Sequence, residues 1–378
     1  MKRIKALLLA FASTLVAAEL GCFLFGRLRS EAFTWYEPGL YALRPEDLTE
    51  SLKQTFHPTL GWKTPHATPF GERPRPVDYP DALLATFGDS YTYCAGVADG
   101  ETWQTHLARR LSADVYNFGN GAYGTDQALL RFREDFPAVR TPLVTLGLIT
   151  ENINRIHNRY RKFYFPHTGT PLTKPRFLLV DGELELLANP IRSADELVEL
   201  CDPGFLEEIG EHDLWYNRNA YPRRTFPFCQ FLFHRSFWLE VRHGRSGVRI
   251  DDVEPRPWSN LWADEEARAL MFAILERFVA EARAQESRPI LVLLPTHGEV
   301  ATLVTGGVAS DKVRAITDFA RARGHDLFDG VAALAAVVAD EDELAALYDH
   351  HLTARGNELL AELFHAWLEQ HELLPGGR

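Results

Sequence analysis

Four short apolar runs, Leu83–Phe87, Val115–Phe118, Leu143–Ile149 and Pro289–Leu294, constrain the fold of this chain most. Each has the length of a strand buried on both faces, and stretches with helical periodicity lie between them. The helices are read at Trp103–Leu111, Asp126–Phe136 (capped by Thr125), Ala263–Ala284, Ser310–Arg323 and Thr353–Gln370, with a short last strand at Asp326–Phe328. Buried strands joined through helices make a parallel sheet covered on both sides, so the fold class is α/β, in three α/β/α layers. Ligands of such sheets bind at the carboxyl ends of the strands. Ser90, Gly119–Ala122, Thr150–Asn152 and Pro295–His297 each directly follow a strand, so four polar loops are expected to meet on one rim.

The strand–helix rhythm is interrupted once. From Arg155 to about Ser259 come aromatics, prolines and a hairpin, Arg176–Val180 and Glu183–Leu187, turned by Asp181-Gly182. The expected division is a membrane segment at 1–27, a stalk at 28–80, the first part of the α/β domain at 81–154, an insertion or lid at 155–260, and the second part at 261–378. Tyr160, Tyr164, Trp215 and Tyr216 could stack on sugars, but aromatics mainly serve burial, and they are read as the insertion's own core.

Lys2, Arg3 and Lys5 precede an apolar stretch from Ala6 to Gly26 that is broken only by Glu19. That is long enough to span the inner membrane as a helix, and the basic head stays in the cytoplasm. A cleaved signal peptide ending near Val16-Ala17-Ala18 is the rival reading. Apolar residues resume as far as Phe25, which favours an uncleaved anchor; either way the rest of the chain is exported to the periplasm or beyond. A formal charge of -12 leaves no electrostatic footprint for nucleic acid. The basic clusters Arg159–Lys162 and Arg223-Arg224 are read as solvated surface. No cysteine spacing suggests zinc. In an exported chain Cys201 and Cys229 are expected to pair, and Cys94 to be a small buried apolar residue.

A serine hydroxyl is a weak nucleophile until an oriented base takes its proton. Ser90, in "FGDSYTYCAG", closes the first strand. The best partners lie in "LYDHHLTARGN", where Asp349 and His351 precede the last helix, with Thr353 as its N-cap. A carboxylate two residues from an imidazole can hold Nδ1–H and leave Nε2 for Ser90. Neighbouring side chains in an extended loop point opposite ways, so His351 and not His350 is the expected base.

These residues resemble the SGNH (GDSL-like) hydrolases, closest to their membrane-tethered bacterial branch. The blocks are Gly88-Asp89-Ser90, the stretch "YNFGNGAYGTDQ", "ITENINR" with Asn152, and Asp349 with His351, in order across residues 83–370 apart from the insertion. The resemblance implies a flavodoxin-like sheet and a Ser90–His351–Asp349 triad. It also implies an oxyanion hole from the Ser90 and Ala122 amides and the Asn152 side chain, without cofactor or metal; Asp89 is structural. The sequence departs from the pattern at Tyr91, at Ala122 and Thr150 where glycines are usual, and at Ile153 where an aspartate is. The implied activity is hydrolysis of acyl esters, chiefly acetyl, on an envelope or secreted polysaccharide or another small ester. Transfer of the acyl group to a sugar and non-catalytic carbohydrate binding remain alternatives. "GNGAYG" is also a full dinucleotide fingerprint, but the acidic residue ending the next strand, Glu151, lies well beyond the usual distance of about 20 positions.

Overall fold

A computed structural model describes residues 2–29, 33–36, 39–216, 221–246 and 261–374. The chain forms two compact units, one of Met1–Thr49, Tyr160–Pro171 and Leu197–Ser259, the other of Glu50–Arg159, Leu172–Glu196 and Asn260–Arg378.

The first unit begins with helix α1, Lys2–Leu28, long and apolar enough to cross a membrane. Trp35, Phe231 and Phe237 form a small core, against which Cys22, Phe25, Phe33 and Val241 pack. Tyr160, Tyr164 and Trp215 are buried, and Phe163 lies within ring contact of Tyr41, Tyr160 and Tyr216. These aromatics are core, as read from the sequence.

The second unit is built on strands β1 (Ala82–Gly88), β2 (Asp114–Gly119), β3 (Leu143–Leu148), β4 (Arg288–Leu293) and β5 (Leu327–Asp329). All neighbours are parallel, in the order β2-β1-β3-β4-β5. This is the flavodoxin-like order, with its reversal between β1 and β3. Helices α2 (Trp103–Leu111) and α6 (Ala354–Gln370) pack together, as do α3 (Thr125–Val139) and α4 (Glu265–Ala284). On the α3/α4 side Phe87 stacks on Phe118 at 4.8 Å and meets Phe132, which meets Phe278. On the α2/α6 side Phe364 packs between Trp103 and Phe328. Helix α5 (Asp311–Arg323) lies beside β5.

Local signals place the ends of these elements. Asp264, Ser310 and Thr353 accept hydrogen bonds from the first turns of α4, α5 and α6. Asp181 and Gly182 both take positive φ, 50° and 86°, as a two-residue type I′ hairpin turn requires. The cap of α3 differs from expectation: Gly124 is the N-cap and Thr125 the first helical residue. The Gly124 N–H is held instead by the Gln127 side chain, whose amide also donates to the Leu60 carbonyl.

The expected stalk and insertion are each divided between the two units. Residues from Glu50 onward belong with the sheet: Leu60 and Trp62 are buried, and the Trp62 Nε1–H donates to the Gly121 carbonyl at 2.9 Å. The hairpin Arg176–Leu187 also belongs there, where the buried Lys174 ammonium pairs with Asp126 at the start of α3. Composition marked these stretches as irregular but not where their apolar residues are buried. Arg159 and Arg161 are buried as well, correcting their reading as solvated surface; Arg159 donates to the Ala188 carbonyl and Arg161 lies over the Tyr164 ring. The last residues of the expected insertion, 247–260, lie outside the described residues.

Candidate active site

β1 ends at Gly88, and Asp89 caps one helical turn, Ser90–Tyr93, by accepting from the Tyr91 N–H at 2.9 Å. Gly119, at the end of β2, lies against this turn. A Cβ there would stand 2.2 Å from the Tyr93 nitrogen, so glycine is required by the chain's approach to itself. The first glycine of "GNGAYG" therefore faces the serine turn and not a pyrophosphate.

His351 arrives from the other end of the sequence. Tyr348–Asp349 and His351–Leu352 form a small antiparallel hairpin before α6, with His350 at its corner in the left-handed region (φ 60°). The His351 Nε2 lies 2.9 Å from the Ser90 Oγ. The Tyr91 ring packs on the imidazole with centroids 4.8 Å apart, and its hydroxyl donates to the His350 carbonyl at 3.3 Å. Burial, reinforced by the charges of Arg155 and His350, pushes the His351 pKa down to about 4. At neutral pH the imidazole is therefore uncharged and able to take the serine proton.

The other two expected side chains are placed differently. Asp349 is exposed, with 89% of its side chain accessible; its carboxylate is 4.0 Å from His350, and among the described residues it makes no hydrogen bond to His351. The hairpin register sets Asp349 opposite His351, but a carboxylate at a hydrated edge is stabilised by water as readily as by the ring. Asn152 is buried and does not face an open hole. Its Oδ1 accepts from the Ile149 N–H at 3.0 Å, and its Nδ2 donates to Asp89 at 3.0 Å and towards the Tyr123 carbonyl at 3.4 Å. The expected oxyanion donor is thus a clamp on Asp89. Burial raises the Asp89 pKa, against the lowering influence of Arg155, Asn152 and the Tyr91 N–H.

The backbone donors fare better. Ala122 sits in the turn Asn120–Tyr123 at φ 62°, a conformation that favours glycine and that costs a Cβ-bearing residue about 1–2 kcal/mol. The turn is held by the Trp62 bond to Gly121, by the Thr64 N–H on Asn120 Oδ1 at 2.9 Å, and by the Tyr123 hydroxyl on the Trp62 carbonyl. Among the described residues, neither the Ser90 nor the Ala122 N–H donates to another protein group. Two amides in adjoining loops thus remain able to receive a developing negative oxygen.

Sequence reasoning missed the supports behind these loops. Arg155 donates to the Tyr123 carbonyl at 2.9 Å, stands 3.7 Å from Asp89 and pairs with Glu151, so one guanidinium ties the second block to the first. The spacing of Glu151 and Arg155, one helical turn apart in "ENINR", was the available signal. Arg73 donates to the carbonyls of Tyr93, Cys94 and Val97, fixing the far end of the serine turn, and Arg131 donates to that of Gly119. Thr150 is bound to Glu299, which also receives Ser310, and its carbonyl accepts from Trp262. Cys94 is buried as expected, its thiol pushed up to about 12 by burial. Cys201 and Cys229 are not joined, correcting the expected disulfide; the Cys229 thiol bonds Glu19 instead. Among the described residues no three His, Cys, Asp or Glu side chains are grouped as metal ligands.

No family model and no curated protein matches the chain. Among solved structures it is similar to a catalytic mutant of the acetylxylan esterase Axe2 from Geobacillus stearothermophilus, at 16% identity and a TM-score of 0.38 over 78% of this chain and 95% of that one. It is also similar to the lipase/acylhydrolase from Enterococcus faecalis (13%, TM-score 0.36, 77% and 96%) and to a member of the lipolytic protein G-D-S-L family from Veillonella parvula (10%, TM-score 0.36, 78% and 100%). The β2-β1-β3-β4-β5 sheet, the Gly-Asp-Ser turn at the end of β1 and the histidine brought onto it from before the last helix are the arrangement that the resemblance to the SGNH (GDSL-like) hydrolases implied.

Proposed function

We propose that the protein is a membrane-tethered serine esterase that removes acyl groups, chiefly acetyl, from an envelope or secreted polysaccharide. The observation that carries the chemistry is the 2.9 Å contact between Ser90 Oγ and a neutral His351 Nε2. Ser90 attacks the ester carbonyl as His351 takes its proton, and His351 then returns that proton to the leaving alcohol. Water repeats the cycle on the acyl-serine and releases the acid. The Ser90 and Ala122 amides hold the oxyanion, and one such donor is typically worth about 3 kcal/mol. Asp349, opposite His351 in the hairpin, accepts a hydrogen bond from the imidazole Nδ1–H when substrate closes the site, since catalytic hydrogen bonds commonly tighten only in the complex. Asn152 and Arg155 act from behind, holding Asp89 and the two loops in place.

The basic head and apolar length of α1 support export of the sheet-bearing unit across the inner membrane. The test is turnover of p-nitrophenyl acetate by the purified chain, followed by product analysis with and without a sugar acceptor. Free acetate in both conditions supports hydrolysis. Acetylated acceptor in place of acetate makes the protein a transferase, and a folded chain with no turnover in either condition removes the enzyme reading.

A further inference from the structure

Glu19 interrupts the apolar stretch Ala6–Gly26 of α1. A carboxyl within the hydrocarbon core is costly unless the protein supplies its partners. It has partners: the backbone N–H groups of Phe228 and Cys229 and the Cys229 thiol all bond its oxygens. Phe23 meets Phe228 edge-on at 5.0 Å, and Phe25 stacks on Phe231 at 5.3 Å. The last third of α1 is therefore keyed into the short helices Phe228–Phe233 and Arg235–Ser246, while in its first part, from Ile4 to Val16, the large apolar side chains are exposed among the described residues.

Depth follows from length. The hydrocarbon core is about 30 Å thick, and Ala6–Gly26, bracketed by Lys5 and Arg27, rises about 31 Å as a helix. Glu19 to Phe25 then lie inside the hydrocarbon, and what packs on them lies at the same depth. That segment carries the side chains that water would tolerate least: Phe226 is 75% exposed and Phe233 86%, and Trp238 is exposed as well. At the level of Arg27, Arg223 and Arg224 join it in lining a cavity of about 580 Å³ over Phe23, Phe228 and Phe231.

We propose that residues 226–238 are embedded in the bilayer beside α1, and that the arginine-lined cavity holds the phosphate of a phospholipid headgroup. This rests on the tether reading above and deepens it. On this proposal Glu19 belongs to the folded unit, and α1 is kept on the mature protein.

The full-length chain in lipid nanodiscs containing a phospholipid with a photoreactive acyl chain tests this. After illumination, mass mapping is expected to find lipid adducts on α1 and on peptides covering 226–238. The double variant Phe226→Glu/Phe233→Glu is expected to lose the second set and keep the first. Adducts on α1 alone overturn the embedding and leave the tether standing; a mature chain starting beyond Ala18 by intact mass overturns both. For the cavity, Arg223→Gln/Arg224→Gln is expected to hold phosphatidylglycerol about thirtyfold more weakly in native mass spectrometry, from two basic charges near headgroups. Equal retention by variant and wild type removes the headgroup site.

Discussion

Asp349→Asn is the substitution on which the structure and the motif differ most. In a buried triad the equivalent change costs about 10⁴ in turnover, because the imidazole loses its tautomer and orientation. Here the carboxylate is 89% exposed and 4.0 Å from the wrong histidine, so any bond to His351 is made at a hydrated edge. A hydrogen bond to a charged group is worth about 1.5–3 kcal/mol, which at 1.36 kcal/mol per decade corresponds to a loss of roughly 10–150-fold in kcat/KM. The pH profile carries a second signature. His351 works as the neutral base, so activity falls as pH drops through its pKa. With no bond from Asp349 that pKa is held at about 4 by burial, Arg155 and His350. An Asp349 bond raises it, so Asp349→Asn is expected to be slower near neutrality and to shift the acid limb downward, towards about 4. Steady-state rates on a small acetyl ester between pH 4 and 8 measure both. Unchanged rates with an unmoved limb would show that Asp349 takes no part. A 10⁴-fold loss would show that the working site buries it, contrary to the geometry described.

The remaining variants separate reacting from supporting residues. His351→Ala is expected to lose about 10²–10⁴ in kcat, the usual contribution of a general base. His350→Ala, whose side chain faces Asp349, should stay within a few-fold; the reverse ranking would reassign the base. Ala122→Gly relieves the positive φ and is expected to raise stability by up to about 1 kcal/mol in urea titration, with esterase rates kept or improved; destabilisation would mean that the turn is not strained. Asn152→Ala leaves the buried Asp89 without one of its donors. A stability loss of about 1–3 kcal/mol is expected alongside reduced turnover. Lost turnover at wild-type stability would instead favour a direct role on the oxyanion.

The sheet was legible because its strands are buried on both faces and their runs end in glycine or polar loops; the predicted strands and helices of the second unit fall within a few residues of those observed. Ser90 and His351 were legible for a related reason. Each sits two residues from a strong boundary signal, the end of β1 at Gly88 and the Thr353 cap, so local chemistry fixed their place on the rim. What could not be read was the direction of side chains set by distant contacts. Asn152 turns to Asp89 because Arg155 and the Tyr123 carbonyl complete that cluster, and no local pattern around Asn152 encodes it. The role of Glu50–Pro80 was hidden similarly: Trp62 holds the Asn120–Tyr123 turn and Arg73 the serine turn from a stretch whose prolines and turns suggested a stalk. Cys229 was paired with Cys201 by region alone, whereas its partner, Glu19, belongs to the apolar helix.

The central claim is that Ser90 becomes the acyl-enzyme, and covalent capture tests it most directly. A fluorophosphonate probe is expected to modify the wild-type chain at one position, mapped by mass spectrometry to Ser90. Ser90→Ala should remain unlabelled and His351→Ala should label far more slowly. Equal labelling of wild type and Ser90→Ala, or an adduct on another residue, would contradict the account.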